Sequence, residues 1–157
     1  MKFKIFVMFL SVVLTYTTNA QNYFVKNESN PRDGSSMVYM VNNYITDDLQ
    51  LSAGIIETGS GNRIHILASH YTGYDRFSAQ TIQLYVDSET IMLDRVVNRQ
   101  RRNNHEIVGF EISDDVLRKL GNAQKVSIHL RGNWSIEKDI DRVHIRRFGE
   151  FYSKHMR

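Results

Sequence analysis

The segment TIQLYVDSETIML, residues 81–93, constrains the fold more than any other stretch, because apolar residues alternate on both sides of a polar centre. Side chains two apart on a strand share a face, so Ile82, Leu84 and Val86 make one row. With a two-residue turn at Asp87-Ser88, Val86 opposes Glu89, Leu84 opposes Ile91 and Ile82 opposes Leu93, and the apolar pairs meet on one side. A four-residue turn over 87–90 keeps that parity. A three-residue loop sets the row against Thr90, Met92 and Asp94 unless a bulge intervenes. An antiparallel hairpin with an even turn is therefore expected.

The same period recurs along the chain. Ile64, Ile66 and Ala68 alternate with Arg63, His65 and Leu67; Val108, Phe110 and Ile112 form another row; Val126, Ile128 and Leu130 stand opposite Ser127, His129 and Arg131. Runs rich in β-branched and aromatic residues predict strands over 37–42, 49–57, 62–69, 80–86, 89–96, 106–112 and 125–131. Two helices break the pattern. Ser113 can cap a short one that carries Asp114 and Asp115 at its positive end and stops at Gly121. A second, over 137–154, places Ile136, Ile140, Val143, Phe148 and Phe151 on one face at 100° per residue, with Arg147 and His144 inside that face. Val143 and Ile145 also fit a strand. The fold these elements predict is mainly β: an antiparallel β-sandwich with one short inserted helix and a C-terminal helix.

At the N-terminus, Lys2 and Lys4 precede an apolar run over 5–14, and small and polar residues follow to Thr18-Asn19-Ala20. This is the pattern of a signal peptide over 1–20. The run is about half of the ~20 residues a membrane-crossing helix needs, so cleavage after Ala20 is expected rather than anchoring. The polar stretch QNYFVKNESNPRDGSS reads as a flexible arm over 21–36, punctuated by Asn30-Pro31 and Asp33-Gly34. A single β-rich domain over 37–157 follows. Exported, periplasmic or secreted, it has no cysteine and so must be stabilised by its core alone. The roughly 137 residues left after cleavage are enough for that.

The absence of cysteine also excludes disulfide scaffolds, thiolate metal sites and cysteine nucleophiles. Removing Lys2 and Lys4 from the 20 basic residues leaves 18 against 17 acidic ones, so bulk charge gives little support to nucleic-acid or membrane binding. The charge is unevenly spread. Residues 21–90 hold 4 basic and 8 acidic side chains, and residues 91–157 hold 14 and 9. Complementarity between two halves of one domain accounts for this better than an anion site.

Catalytic patterns are weak. His65 and His70 are five apart, which on one strand aims them at opposite faces; His144 and His155 lie three helical turns apart; His105 and His129 are solitary. No metal site and no cofactor are expected. Thr58-Gly59-Ser60-Gly61-Asn62 resembles half of a nucleophile elbow but sits between two strands and reads as a turn. Ser127 and His129 share a face at roughly 6 to 7 Å, too far for a direct hydrogen bond in most rotamers. The carboxylate pairs Asp47-Asp48, Asp87/Glu89, Asp114-Asp115 and Asp139/Asp141 each have a turn or helix-start role. No catalytic residue is assigned.

Two loops remain. VVNRQRRNNH, residues 96–105, gathers Arg99, Arg101 and Arg102, whose guanidiniums could hold an anion, though a solvated hairpin tip has the same composition. SHYTGYDRFSAQ, residues 69–80, clusters Tyr71, Tyr74 and Phe77, and Trp134 follows Gly132 in another turn. Rings of this kind stack on sugars or peptides, or fold back over a sheet edge. The candidate binding residues are therefore Tyr71, Tyr74, Arg99, Arg101, Arg102, His129, Arg131 and Trp134. The expected function is that of an exported, non-catalytic binding or accessory domain that contacts a protein or glycan through loops. A small hydrolase whose polar residues converge on folding and an arginine-loop polyanion binder are the alternatives.

Overall fold

The computed structural model describes residues 24–73, 77–102 and 105–156. Among the described residues, ten strands make two antiparallel sheets. In chain order they are β1 (Phe24–Asn30), β2 (Ser35–Val41), β3 (Leu49–Glu57), β4 (Arg63–Tyr71), β5 (Thr81–Val86), β6 (Glu89–Leu93), β7 (Val96–Arg102), β8 (His105–Ile112), β9 (Val126–Arg131) and β10 (Ser135–Ile140). Helix α1 (Asp114–Asn122) lies between β8 and β9, and α2 (Arg142–His155) follows β10. The six-stranded sheet has the order β1-β2-β3-β4-β8-β7 and the four-stranded sheet β10-β9-β5-β6. The molecule is thus a β-sandwich with one inserted and one C-terminal helix.

Parity explains the pairing of β5 with β6. Val86 opposes Glu89, Leu84 opposes Ile91 and Ile82 opposes Leu93 across the two-residue turn. Asp87 takes φ 53°, the left-handed conformation that such a turn requires and that aspartate tolerates. Its carboxylate accepts the Gln124 and Lys125 backbone N–H groups at 2.9 and 2.8 Å, which ties the hairpin to the connection between α1 and β9.

Several expectations are corrected. The arm over 21–36 is not a loop in its described part: residues 24–30 are β1, paired along its length with β2. As an edge strand, β1 needs only one neighbour and sparse apolar residues, so polar side chains concealed it. In the arginine segment 96–105, residues 96–102 are likewise a strand, β7, on the opposite edge of that sheet, and His105 opens β8. The predicted strand 89–96 divides at Asp94-Arg95, where the chain passes from one sheet to the other. The last helix begins at Arg142 rather than 137, because Ile136 and Ile140, whose spacing suits a helix or a strand, lie opposite Leu130 and Val126 in β10.

The principal core lies between the sheets. It takes Leu51, Leu67 and Phe110 from one sheet, Ile82, Leu84 and Ile128 from the other, Leu117 and Leu120 from α1, and Ile145, Phe148 and Phe151 from α2. Ser113 accepts the Val116 N–H at 3.3 Å as the α1 cap. Gly121 does not stop α1, which continues to Asn122; it lies where α1 meets α2, beside Gly149. A second apolar cluster, Met37, Tyr39, Val41, Ile66, Ala68 and Ile107, draws only on strands of the six-stranded sheet.

Candidate functional site

Three pieces of chain converge at one corner of the sandwich: the connection from β4 to β5, the β7–β8 edge, and the turn from β9 to β10. The turn enters by backbone. Arg131 O accepts the Gln80 N–H at 2.7 Å, and Gly132 N–H bonds Trp134 O at 2.9 Å. A Cβ on Gly132 would lie 2.1 Å from Ser78 O, so this close approach requires glycine. Asn133 Oδ1 then accepts the Ser78 N–H at 2.8 Å.

Glu106 fastens the other side. Only 4% exposed, it receives the Ala79 N–H on Oε2 at 2.9 Å. Its Oε1 receives Arg99 Nη1 at 3.1 Å and Arg101 Nη2 at 2.8 Å. Arg99 also donates to Ser78 Oγ at 2.8 Å and to the Ala79 carbonyl. A buried carboxylate needs such partners, since an unpaired one would cost several kcal/mol in lost hydration. Glu106 was not singled out from the sequence. Its signal is the register of the β7–β8 pair, which sets Arg101 directly opposite Glu106.

The aromatic part of the corner is a packed trio. Phe77 meets Trp134 edge-on at 5.0 Å, Tyr71 meets Trp134 at 5.7 Å, and Tyr71 meets Phe77 at 5.5 Å between ring centroids. Tyr71 and Phe77 are buried, so these two rings fold back over the sheet. Trp134 remains 39% exposed. Its indole therefore rests on a rigid aromatic base and presents surface to solvent.

Of the sequence-predicted binding residues, the structure brings Tyr71, Arg99, Arg101 and Trp134 together at this corner. His129 and Arg131 lie on the polar face of β9, opposite that of Val126, Ile128 and Leu130. His129 is beside Gln83 and Glu137 there. Tyr74 lies outside the described residues, as does the side chain of Arg102, whose backbone pairs with His105.

The remaining polar candidates have structural partners. Ser127 Oγ donates to Asp139 Oδ1 at 2.5 Å, so no imidazole stands between hydroxyl and carboxylate as serine catalysis requires. His144 is buried and contacts Asn43 Oδ1 through Nδ1 at 2.8 Å, and Arg147 donates to the same oxygen at 3.3 Å. Burial, then the Arg147 charge, lowers the His144 pKa. His155 packs against Phe151.

His105 is not solitary: its ring lies 5.8 Å from that of His70. Burial, reinforced by His105, pushes the His70 pKa down to about 4, and Gln50 Nε2 lies 3.4 Å from His70 Nδ1. Among the described residues no group of three histidine or carboxylate side chains could hold a metal ion, and no helix is long and apolar enough to cross a membrane. No protein-family model, curated protein or solved structure matches this chain.

Proposed function

We propose that the chain is an exported, non-catalytic binding domain that meets a protein or glycan partner at the Tyr71–Phe77–Trp134 corner. The observation that supports this most directly is the half-open indole of Trp134, held edge-on by two buried rings. A large amphipathic ring fixed in one orientation loses little conformational entropy on binding, which is the property of aromatic anchors at interfaces. The neighbouring guanidiniums and amides supply polar contacts around it. A site built on the arginines alone, the polyanion alternative, is less well supported, because Arg99 is engaged by Glu106, Ser78 and Ala79 and, of the two, only Arg101, bonded to Glu106 through Nη2, is left to add an anion contact beside the indole.

Trp134 is the chain's one tryptophan, so its emission reports on the corner alone. The test is to present the purified protein and a Trp134→Ala variant to a glycan array and to native cell-envelope extract. The expected result is retention of a partner by the parent, with a change in tryptophan emission on binding, and loss in the variant. Equal retention by both, or turnover of a substrate with no partner retained, overturns the reading.

A further inference from the structure

We infer that the ligand of this corner is an acidic saccharide, a chain bearing carboxylates on its sugar rings; the inference rests on the proposed binding role and narrows it. Two guanidiniums share the single carboxylate of Glu106, so the cluster keeps one net positive charge. Arg99 spends both terminal nitrogens on Glu106, Ser78 and Ala79. Arg101 bonds Glu106 through Nη2, and its side chain is about half exposed. Its Nη1 and Nε have no partner among the described residues. Nη2 carries two hydrogens, and the one not given to Glu106 lies parallel to an N–H of a neighbouring nitrogen, a planar fork that can receive a second carboxylate through two bonds.

The indole and Arg101 are linked through Ser78, whose hydroxyl donates at 3.4 Å to the same Glu106 Oε1 that Arg101 bonds. Ser78 receives Arg99 on its hydroxyl, and its N–H is held by Asn133, the neighbour of Trp134. Phe77, next to Ser78, supports the Trp134 ring. A flat apolar surface beside an anion-binding fork matches a ring with one C–H face and an equatorial carboxylate. A neutral sugar would leave the fork and its positive charge unanswered. An acidic peptide could answer the charge, but would bring no rigid ring to cover the indole.

Tryptophan emission of the purified protein, titrated with a short oligogalacturonate, a neutral gluco-oligosaccharide of equal length and an oligoglutamate, tests this. The expected outcome is a spectral change with the acidic saccharide at least about tenfold tighter than with either competitor. Arg101→Gln and Arg101→Lys should each weaken that binding by about tenfold, the lysine variant because it keeps the charge and loses the fork. Near-ultraviolet dichroism of both variants checks that the corner is intact. If the neutral sugar or the acidic peptide binds as well, the inference fails while the broader binding role stands. Acidic-sugar binding unaffected by either substitution, or no response to any of the three probes, also overturns it. Equal retention by the parent and Trp134→Ala in the array and extract experiment, or turnover of a substrate with no partner retained, is what would remove the broader role.

Discussion

Gly121 of α1 and Gly149 of α2 touch backbone to backbone: a Cβ built on Gly121 would lie 2.5 Å from Gly149 Cα and 2.7 Å from its nitrogen. The reverse contact is nearly as close, with a Cβ on Gly149 falling 2.8 Å from the Gly121 carbonyl oxygen. Glycine in a helix ordinarily costs about 1 kcal/mol relative to alanine. Here the pair is retained because it lets the helices approach and seat Leu117, Leu120, Phe148 and Phe151 in one core.

Gly121→Ala is accordingly expected to destabilise the fold by about 2 kcal/mol or more despite its better helix propensity, since overpacking shifts backbone rather than a flexible side chain. Urea unfolding followed by far-ultraviolet dichroism measures it. Gly61 provides the contrast: no atom lies within 4 Å of its added Cβ, but its φ is +79°. Gly61→Ala should cost only about 1 to 2 kcal/mol, through backbone conformation alone. A Gly121→Ala midpoint at or above the parent's would show that the crossing is not tight.

Glu106→Ala should be among the most damaging single changes at the corner. It removes the acceptor of Ala79 N–H, Arg99 and Arg101 at once. Leaving those donors without their partner is expected to cost about 3 to 5 kcal/mol. Glu106→Gln keeps an acceptor and should lose less. Equilibrium unfolding of both variants, with Arg99→Ala and the double mutant completing a cycle, separates the pair's coupling from simple truncation. Additive losses within about 0.5 kcal/mol would indicate that the two side chains do not act together.

The two hydrophobic sheet faces were legible where their period was clean. The β5–β6 register follows from parity because shifting it by one residue exposes Ile82, Leu84 and Val86 together. Strands β1, β7 and β10 were obscured because each lies at an edge and keeps charged or polar side chains along it. Lys26 and Glu28, Arg99 and Arg101, and Glu137 and Lys138 all occupy such positions. The aromatic corner was legible only in part: Tyr71, Phe77 and Trp134 stood out by type, but their packing depends on contacts between segments more than fifty residues apart. Glu106 was hidden by the loop reading of its partner strand. Once Arg101 is placed opposite it, the role is readable from charge alone.

Truncation should distinguish the rings that support the corner from the ring it displays. Phe77 is almost wholly buried, and Phe77→Ala is expected to cost about 3 to 5 kcal/mol. Trp134→Ala should cost clearly less, because a large part of the indole is already in water, and should chiefly affect binding. In the parent, the emission maximum should lie between those of buried and free indole and should shift to the red in Phe77→Ala. Equal stability losses from the two substitutions would make Trp134 a core residue and weaken the binding role.

Stability should fall in mild acid, and His70 fixes the sign. Its folded pKa, about 4, is below the ordinary 6.5 because burial disfavours the imidazolium and His105 adds to that cost. Below about pH 6.5 the unfolded chain therefore takes up a proton that the folded chain refuses until the pH approaches 4. Stability is fully present above that window and declines through it, by up to about 3 kcal/mol from this residue. His144, lowered by burial and then by Arg147, acts in the same direction. Urea midpoints at pH 7, 5.5 and 4 should decline in the parent. His70→Gln, which cannot titrate and retains an amide able to face Gln50, should flatten the decline; an unchanged slope in that variant would place the acid sensitivity elsewhere.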